Sequence, residues 1–141
     1  RSSHHSHHNY SGTENDPDYY TKTPQNFWPW YLNFFSNYFG IKQVLVMIIF
    51  TLVYIFILGA NYENTIVMWA LPAILSSFQL FYFGTYLTHR NNKPFADAHN
   101  ARTNDFPLWL SLLTCFHFGY HHEHHLYPYE PWWRLPHRKA K

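Results

Sequence analysis

The sequence predicts an all-α integral-membrane protein: a helical bundle with a transmembrane hairpin and a cap of histidine boxes on the cytoplasmic side. Aromatic residues make up 22% of the 141 residues and charged residues only 13%, against about 25% charged residues in typical soluble domains. Residues 44–60 and 65–88 contain no charged residue and are mostly apolar. One histidine-rich cluster precedes these runs and another follows them. We therefore expect one membrane domain over residues 1–141.

The two apolar runs predict transmembrane helices over residues 41–60 and 65–88. The uncharged part of the first, about 17 residues, is at the short end of what crosses a hydrocarbon core of about 30 Å. The tetrapeptide Asn61-Tyr62-Glu63-Asn64 between the runs predicts a tight polar turn. Pro72 predicts a kink in the second helix. A buried helical hairpin in a soluble protein is the alternative interpretation.

Charges around the two runs predict their orientation. The two ends of a hairpin emerge on one side of the bilayer, so both histidine clusters would face the same compartment. Lys42, Arg90 and Lys93 lie on that side, whereas the turn carries only Glu63. By the positive-inside rule we expect that side to be cytoplasmic.

The segments outside the hairpin are expected at the membrane surface. Residues 27–39 are aromatic and interrupted by Pro29, a composition typical of the headgroup level. Residues 108–116 are apolar but too short to cross a bilayer. We expect a helix there that lies at the membrane and runs directly into the second histidine cluster. The carboxyl-terminal tail, with a Trp pair and several basic residues, suits anionic lipid headgroups.

Both histidine clusters contain the pattern His-x-x-His-His. It consists of His4, His7 and His8 in the first cluster and of His121, His124 and His125 in the second. Residues i, i+3 and i+4 share one face of an α-helix, so each box would aim three imidazoles at one region of space. Neutral imidazole is a common ligand of iron, zinc, copper and nickel. Since the hairpin brings both boxes to one side of the membrane, we predict a shared metal centre. For the first box, a remnant of an affinity tag or a histidine-rich tract that binds metal loosely are the alternatives.

Four further side chains could support the ligands by hydrogen bonding. Asp16 and Asp18 follow the first box, and metal-bound histidines commonly donate to a carboxylate. An Asx-type turn at the intervening proline explains the same two residues equally well. His117 precedes His121 by one helical turn, and His122 lies inside the second box.

Composition argues against two other kinds of function. The formal net charge is only +2 and the chain has no basic stripe with base-reading residues, so we expect no nucleic-acid partner. Cys115 is the single cysteine, which excludes an internal disulfide and a cysteine-rich zinc site.

Several motifs resemble those of one family. Histidine boxes on both sides of a membrane hairpin are similar to those of the integral-membrane fatty acid desaturase and hydroxylase superfamily. Within it, the chain resembles the bacterial-type beta-carotene ketolases in Asp16-Pro17-Asp18 and in three longer segments. These are residues 83–90 (FGTYLTHR), 112–125 (LLTCFHFGYHHEHH) and 131–136 (PWWRLP).

The resemblance implies a mostly helical membrane enzyme with a non-haem di-iron centre, which uses O2 to oxidise carbon 4 of a β-ionone ring to a ketone. A carotenoid substrate would enter from the bilayer, and a ferredoxin-like protein would supply electrons. The two boxes match the family's second and third boxes, and His89 matches a histidine that follows the second span. The implied ligands of two iron ions are therefore His4, His7, His8, His89, His121, His124 and His125.

The chain departs from the family pattern at two places. The family's first box, His-x-x-x-His on an upstream helix, is absent, and Arg1 already adjoins the second box; we therefore expect an amino-terminally truncated fragment. Thr88 stands where the family commonly has proline before the histidine. A carotene hydroxylase or a fatty acyl desaturase would carry the same boxes. A non-catalytic membrane protein that binds or transports zinc is the alternative from another class.

Overall fold

The computed structural model describes residues 2–22 and 24–139. In these ranges the chain is mostly helical, and the only β-pairing is an isolated bridge between Thr103 and Tyr120. The predicted all-α class is confirmed to that extent. In chain order the helices are α1 (Ser2–Tyr10), α2 (Phe27–Tyr38), α3 (Ile41–Ile57), α4 (Tyr62–His89), α5 (Leu108–Cys115), α6 (His121–Leu126) and α7 (Leu135–Arg138). Turns of π-helix occur within α3 at Val53–Ile57 and within α4 at Ile66–Ala70 and Phe81–Tyr86.

Helix α4 is the one described helix that is long and apolar enough to cross a membrane by itself. It has 28 residues, and only 6% of its most apolar window is buried within the protein. The core helix of a soluble protein would be mostly buried, so this exposure favours contact with lipid. The helix begins three residues before the predicted boundary at residue 65, because Asn61 caps it. The Asn61 side-chain oxygen accepts a hydrogen bond from the Asn64 backbone N–H at 3.1 Å.

Helix α3 covers most of the first predicted span. It is bent by 79° from α2, and these two helices reach spanning length only when they are counted together. The rings of Tyr54 in α3 and Trp69 in α4 lie 5.2 Å apart, so the two helices contact each other near the turn that joins them. A hairpin of spans over residues 41–60 and 65–88 remains a prediction.

Helix α2 packs against α4 through an aromatic core of four buried side chains, Trp30, Tyr31, Phe34 and Phe81. The indole N–H of Trp30 donates to the backbone carbonyl of Asp18 at 2.6 Å, which ties the loop after α1 to this core. The expectation that Pro29 interrupts the segment is wrong. Pro29 lies in the first turn of α2, where a backbone N–H would have no intrahelical partner to lose.

The predicted continuous helix from residue 108 into the second histidine box is also wrong. Helix α5 ends at Cys115, because Phe116 and His117 adopt left-handed conformations with φ of 47° and 61°. The second box then forms a separate helix, α6, which begins at His121. Residues 116–120 therefore separate the second box from the apolar helix before it.

Hydrogen bonds of the segment between α4 and α5 tie the end of α4 to the start of α6. The backbone N–H of Arg102 donates to the carbonyl of Thr88 at 3.0 Å, and its guanidinium donates to the carbonyl of Arg90 at 2.6 Å. Two residues later, the N–H of Asn104 donates to the carbonyl of Gly119 at 2.7 Å. These bonds place the last turn of α4 beside the second histidine box.

Candidate metal centre

The first histidine group lies where α1, α4 and α6 meet. His7 comes from α1, His89 from the last turn of α4, and His121 and His125 from α6. One ring nitrogen from each lies within 4.8 Å of those of the other three, and all four residues are buried. The Nε2 of His125 is 3.1 Å from the Nε2 of His7 and 3.2 Å from that of His121. Four imidazoles thus converge in a site that excludes water.

The second histidine group consists of His4, His8 and His124. The Nε2 of His8 lies 3.2 Å from that of His4 and 3.0 Å from that of His124, and the latter two are 3.3 Å apart. All three residues are only partly buried. The ring centroids of His8 and His125 are 4.4 Å apart, so the two groups adjoin.

Each box divides its histidines between the two groups. The first box gives its i and i+4 residues to the second group and its i+3 residue, His7, to the first. The second box does the reverse, and His124 is its i+3 residue. With 3.6 residues per turn, i and i+4 differ by only about 40° around the helix, whereas i+3 lies about 60° to the other side of i. His89 has no counterpart among the described members of the second group.

Asp16 holds the imidazole of His7. The Nδ1–H of His7 donates to Asp16 Oδ1 at 2.8 Å, and both side chains are buried. The backbone N–H groups of Gly12 and Asp18 donate to the same carboxylate, each at 2.8 Å. Asp16 therefore supports a histidine and closes an Asx-type turn at once. Because Nδ1 carries the proton, Nε2 faces the first group with a free lone pair.

The backbone carbonyl of Asn100 holds His89 in the same way. The Nδ1–H of His89 donates to this oxygen at 2.7 Å. The Nε2 of His89 is buried and has no hydrogen-bond partner among the described residues. A buried ring nitrogen without a partner is unfavourable unless a ligand is present, and here it points to the nitrogen atoms of the other three histidines.

Burial lowers the pKa of several box histidines and so favours their neutral form. Burial, with neighbouring His124, lowers the pKa of His8 to about 3. Burial, with neighbouring His4, lowers the pKa of His124 to about 4. Burial also holds the pKa of His121 well below its ordinary 6.5. Neutral imidazole is the form that binds metal. In the first group Asp16 and the carbonyl of Asn100 hold the Nδ1 protons of His7 and His89, so the Nε2 lone pairs of these two rings are free to bind a metal cation.

Asp18 lies close to His7 without a hydrogen bond to it. Its Oδ2 is 3.8 Å from His7 Nδ1, beyond hydrogen-bond distance. The two residues form a third cluster together with Asp16. Burial raises the pKa of the Asp18 carboxyl to about 6.

Neither His117 nor His122 lies in the two groups. The ring of His117 pairs with the Ser111 hydroxyl at 3.1 Å, and His117 lies in the left-handed break that follows α5. The Nε2 of His122 pairs with the carboxylate of Asp97 at 2.9 Å on the exposed side of α6. These hydrogen bonds do not join either ring to a histidine of the two groups, so a supporting role for His117 and His122 stays a prediction.

The sequence profile of the fatty acid desaturase family matches residues 39–141. The chain belongs to the fatty acid desaturase family. The matched range contains His89 and the second box, whereas the first box precedes it. The structure brings the first box to this desaturase-family region by folding α1 against α6.

Carotenoid ketolases are among the relatives of this desaturase-family chain. A beta-carotene ketolase of Paracoccus sp. (strain N81106 / MBIC 01143) is 48% identical over 140 residues, which is 98% of this chain and 56% of that protein. A beta-carotene ketolase of Haematococcus lacustris is 40% identical over 95% of this chain and 43% of that protein. A zeaxanthin 4-ketolase of Chlamydomonas reinhardtii is 36% identical over 94% of this chain and 30% of that protein. The chain thus spans about half the length of the curated relatives it matches, or less. No solved structure gives a significant match.

Two residues near the site were not predicted from the sequence. Asn100 stands in a turn-rich loop that gave no sign of contact with His89; the tolerance of Asn for left-handed backbone was the available signal. Glu123, inside the second box, is buried and accepts a hydrogen bond from the Thr103 hydroxyl. A buried carboxylate between ligand histidines could have been suspected of such a role, because buried acids are paired.

Two histidines of the second group, His4 and His8, border a cavity. A cavity of about 560 Å³ is lined by His4, His5, His8, Asn9, Pro128 and Tyr129. All three histidines of the second group are partly buried and thus more accessible than the four buried histidines of the first group.

Proposed function

We propose that the complete protein containing this chain is a carotenoid 4-ketolase, which oxidises carbon 4 of the β-ionone ring of beta-carotene to a ketone. The observation that carries this proposal is the 48% identity to a beta-carotene ketolase over 98% of the chain. The convergence of seven histidines into two adjoining groups supports it independently, because an oxygenase of this kind needs a metal site.

The proposed cofactor is a pair of iron ions. His7, His89, His121 and His125 would hold one, and His4, His8 and His124 would hold the other. All seven donors are imidazole nitrogens, which suit iron. Bound iron would supply the activation of O2 for oxidation of a C–H bond.

The proposed conversion of a ring CH2 to a ketone requires two oxygen insertions at one carbon. Each insertion consumes one O2, two electrons and two protons, and it releases one water. The resulting gem-diol then loses a further water to leave the ketone. A ferredoxin-like protein is the proposed electron donor.

The residues of this chain would hold and shield the site. The four buried histidines of the first group exclude water from it. Asp16 and the carbonyl of Asn100 keep protons on Nδ1 of His7 and His89, so that the opposite nitrogen of each ring stays free. Such partners orient ligands and raise their basicity.

The proposed location is an integral-membrane one with both boxes on the cytoplasmic side. The apolar, outward-facing surface of α4 supports insertion. Arg90 and Lys93 follow α4 on the side of the boxes, and basic residues favour the cytoplasm. A carotenoid is long and apolar, so we propose that it reaches the site from the bilayer.

Expression of the complete protein in cells that accumulate beta-carotene tests the proposed activity. We expect echinenone or canthaxanthin, detected by chromatography and mass spectrometry. A parallel culture that accumulates zeaxanthin tests hydroxylated rings, since one relative is a zeaxanthin 4-ketolase. Formation of zeaxanthin from beta-carotene, or of a desaturated lipid, would instead assign a hydroxylase or an acyl desaturase.

His124→Ala narrows the test to the metal site. His124 belongs to the second group and lies 3.0 Å from His8, so its loss should abolish ketone formation without lowering the amount of protein in the membrane. Retained ketone formation would show that the second group is not required for catalysis. Zinc alone in the purified protein, with no O2-dependent activity, would favour a zinc-binding or transport protein.

A further inference from the structure

The loop between α4 and α5 crosses directly behind the first histidine group. At Asn100 the backbone takes a left-handed conformation, with φ of 48°. Its carbonyl accepts the Nδ1–H of His89 at 2.7 Å. Left-handed backbone is rare for residues other than Gly, Asn and Asp. The direction of the carbonyl that holds His89 therefore depends on which residue occupies position 100.

The side chain of Asn100 makes a second connection, to the chain just after the first box. Its Nδ2 donates to the backbone carbonyl of Ser11 at 2.9 Å and to that of Ala98 at 3.2 Å. Gly12 lies so close that an added Cβ would come within 2.7 Å of Asn100 Cβ. The hydroxyl of Ser11 in turn donates to the carbonyl of His99. Asn100 thus joins α1, which carries His7, to the ligand at the end of α4.

We infer that Asn100 is a positioning residue for the first metal group, which sets the orientation of His89 through its backbone and fixes that backbone through its amide. The inference rests on the metal site of the proposed function. Only asparagine meets both requirements: glycine accepts the left-handed backbone but has no amide, and aspartate accepts the backbone but presents oxygen to the carbonyl of Ser11. Valine meets neither.

The consequence is confined to one of the two groups. His89 belongs to the first group, and the hydrogen bonds of Asn100 reach His89, Ser11 and Ala98 rather than a histidine of the second group. Disturbance of Asn100 should therefore weaken one metal site and leave the other intact. A role in general folding would affect both sites together.

Four variants of the complete protein test the inference: Asn100→Gly, Asn100→Asp, Asn100→Val and His89→Ala. Iron bound per chain is measured on purified protein, and the Mössbauer spectrum of protein loaded with enriched iron separates the two sites. We expect Asn100→Val to weaken one site about 10–100-fold, so that one of two spectral components is lost after dialysis. Asn100→Gly and Asn100→Asp should each lose less than Asn100→Val, because both residues accept the left-handed backbone that directs the carbonyl to His89.

Two comparisons separate positioning from plain destabilisation. Phe116→Val places the same unfavourable residue at another left-handed position, which is exposed and contacts Trp132 rather than either group; it should keep both spectral components. The double variant His89→Ala/Asn100→Val should bind no less iron than His89→Ala alone, because Asn100 acts through His89.

The outcomes distinguish this inference from the proposed function. Two iron sites that survive in Asn100→Val, or an additional loss in the double variant, would overturn the role of Asn100 while leaving the ketolase proposal intact. Absence of both iron sites from the wild-type protein would overturn both.

Discussion

The ring of Phe118 lies against the backbone of Gly84 so closely that a side chain at position 84 would collide with it. A Cβ built on Gly84 would come within 2.5 Å of Phe118 Cε1. The same ring contacts His121 and His124, with ring centroids 4.8 and 5.3 Å apart. Phe118 therefore packs between α4 and one histidine of each group, so a shift of its ring would displace both histidines.

Gly84→Ala should disturb the site in spite of its effect on helix propensity. Replacing Gly by Ala in a helix is favourable by about 1 kcal/mol, whereas overpacking costs about 1–3 kcal/mol, so we expect a lower melting temperature. Displacement of Phe118 should also reduce bound iron. Thermal unfolding and metal analysis of the detergent-purified protein measure the two effects.

Gly40→Ala is the matched control for Gly84→Ala. An added Cβ at Gly40 meets only the flexible side chain of Gln43, at 3.1 Å, so this variant should keep its iron. Gly84→Ala/Phe118→Leu should regain part of the lost stability, because the smaller side chain relieves the collision. A Gly84→Ala protein with unchanged melting temperature and full iron content would show that the contact has no such role.

Asp16→Ala should weaken the first metal group more than the second. It removes the acceptor of His7 Nδ1–H and of two backbone N–H groups. Loss of such a partner typically lowers metal affinity by about 10–100-fold. Competition with a chelator measures the affinity of each site. Asp18→Asn is the control, since Asp18 lies 3.8 Å from the same nitrogen without a hydrogen bond. Equal weakening of both sites by Asp16→Ala would contradict the assignment.

The sequence contained the ligand face of each box but not the division of each box between two groups. Spacing of i, i+3 and i+4 places three imidazoles on one helix face, which is a statement about a single helix. Whether His7 joins His121 or His4 depends on how α1 packs against α6, which local periodicity does not encode. His89 was identified by resemblance and by its position just past the end of the second predicted span. Its partner Asn100 was not, because it is an ordinary loop residue until the fold brings the two together.

The elements most poorly predicted were those where tertiary packing overrides a local signal. Residues 108–125 have no proline or glycine before Gly119, so a continuous helix was the natural expectation. Left-handed Phe116 and His117 end α5 all the same, and Gly119 lies beside Asn104, which bonds to its carbonyl. The all-α class was predicted from composition and apolar runs. Both are averages over many residues, so an error at one helix boundary does not change the predicted class.

His125→Ala and His122→Ala form a matched pair on one short helix. His125 is buried in the first group, whereas His122 pairs with Asp97 on the exposed side. His125→Ala should lose the iron of the first group and all ketone formation. His122→Ala should keep both, since an exposed ion pair contributes only about 0–1 kcal/mol. Iron analysis and product assays in parallel measure the contrast; equal activities would disprove the separation of the two faces.

Acidification should destabilise the metal-free protein. The folded-state pKa is about 3 for His8 and about 4 for His124, against 6.5 for each in the unfolded chain. Between these pKa values the unfolded chain binds more protons than the folded chain does. The free energy of unfolding is therefore highest above about pH 6.5 and falls as the pH is lowered through this window. Asp18 acts oppositely, because its pKa is raised to about 6 from 3.8. The lowered histidines outnumber it, so the net effect follows the histidines.

Melting temperatures of metal-free protein at about pH 7 and about pH 4.5 measure this linkage. We expect the lower value at the acidic pH. The variant His8→Gln/His124→Gln, in which two titrating groups are removed, should have a smaller difference between the two conditions. A melting temperature that rises on acidification would mean that Asp18, and not the histidines, controls the pH dependence.

The two ends of α4 should lie on opposite sides of the membrane. With 28 residues, the helix is about 42 Å long and exceeds the hydrocarbon core of about 30 Å. In a Cys115→Ala background, single cysteines are introduced at two exposed positions, His5 within the first box and Glu63 in the first turn of α4. We expect a membrane-impermeant maleimide to label Glu63→Cys in intact cells and His5→Cys only after permeabilisation. Labelling of both from one side would exclude α4 as a span, and the reverse pattern would place the histidine boxes outside the cytoplasm.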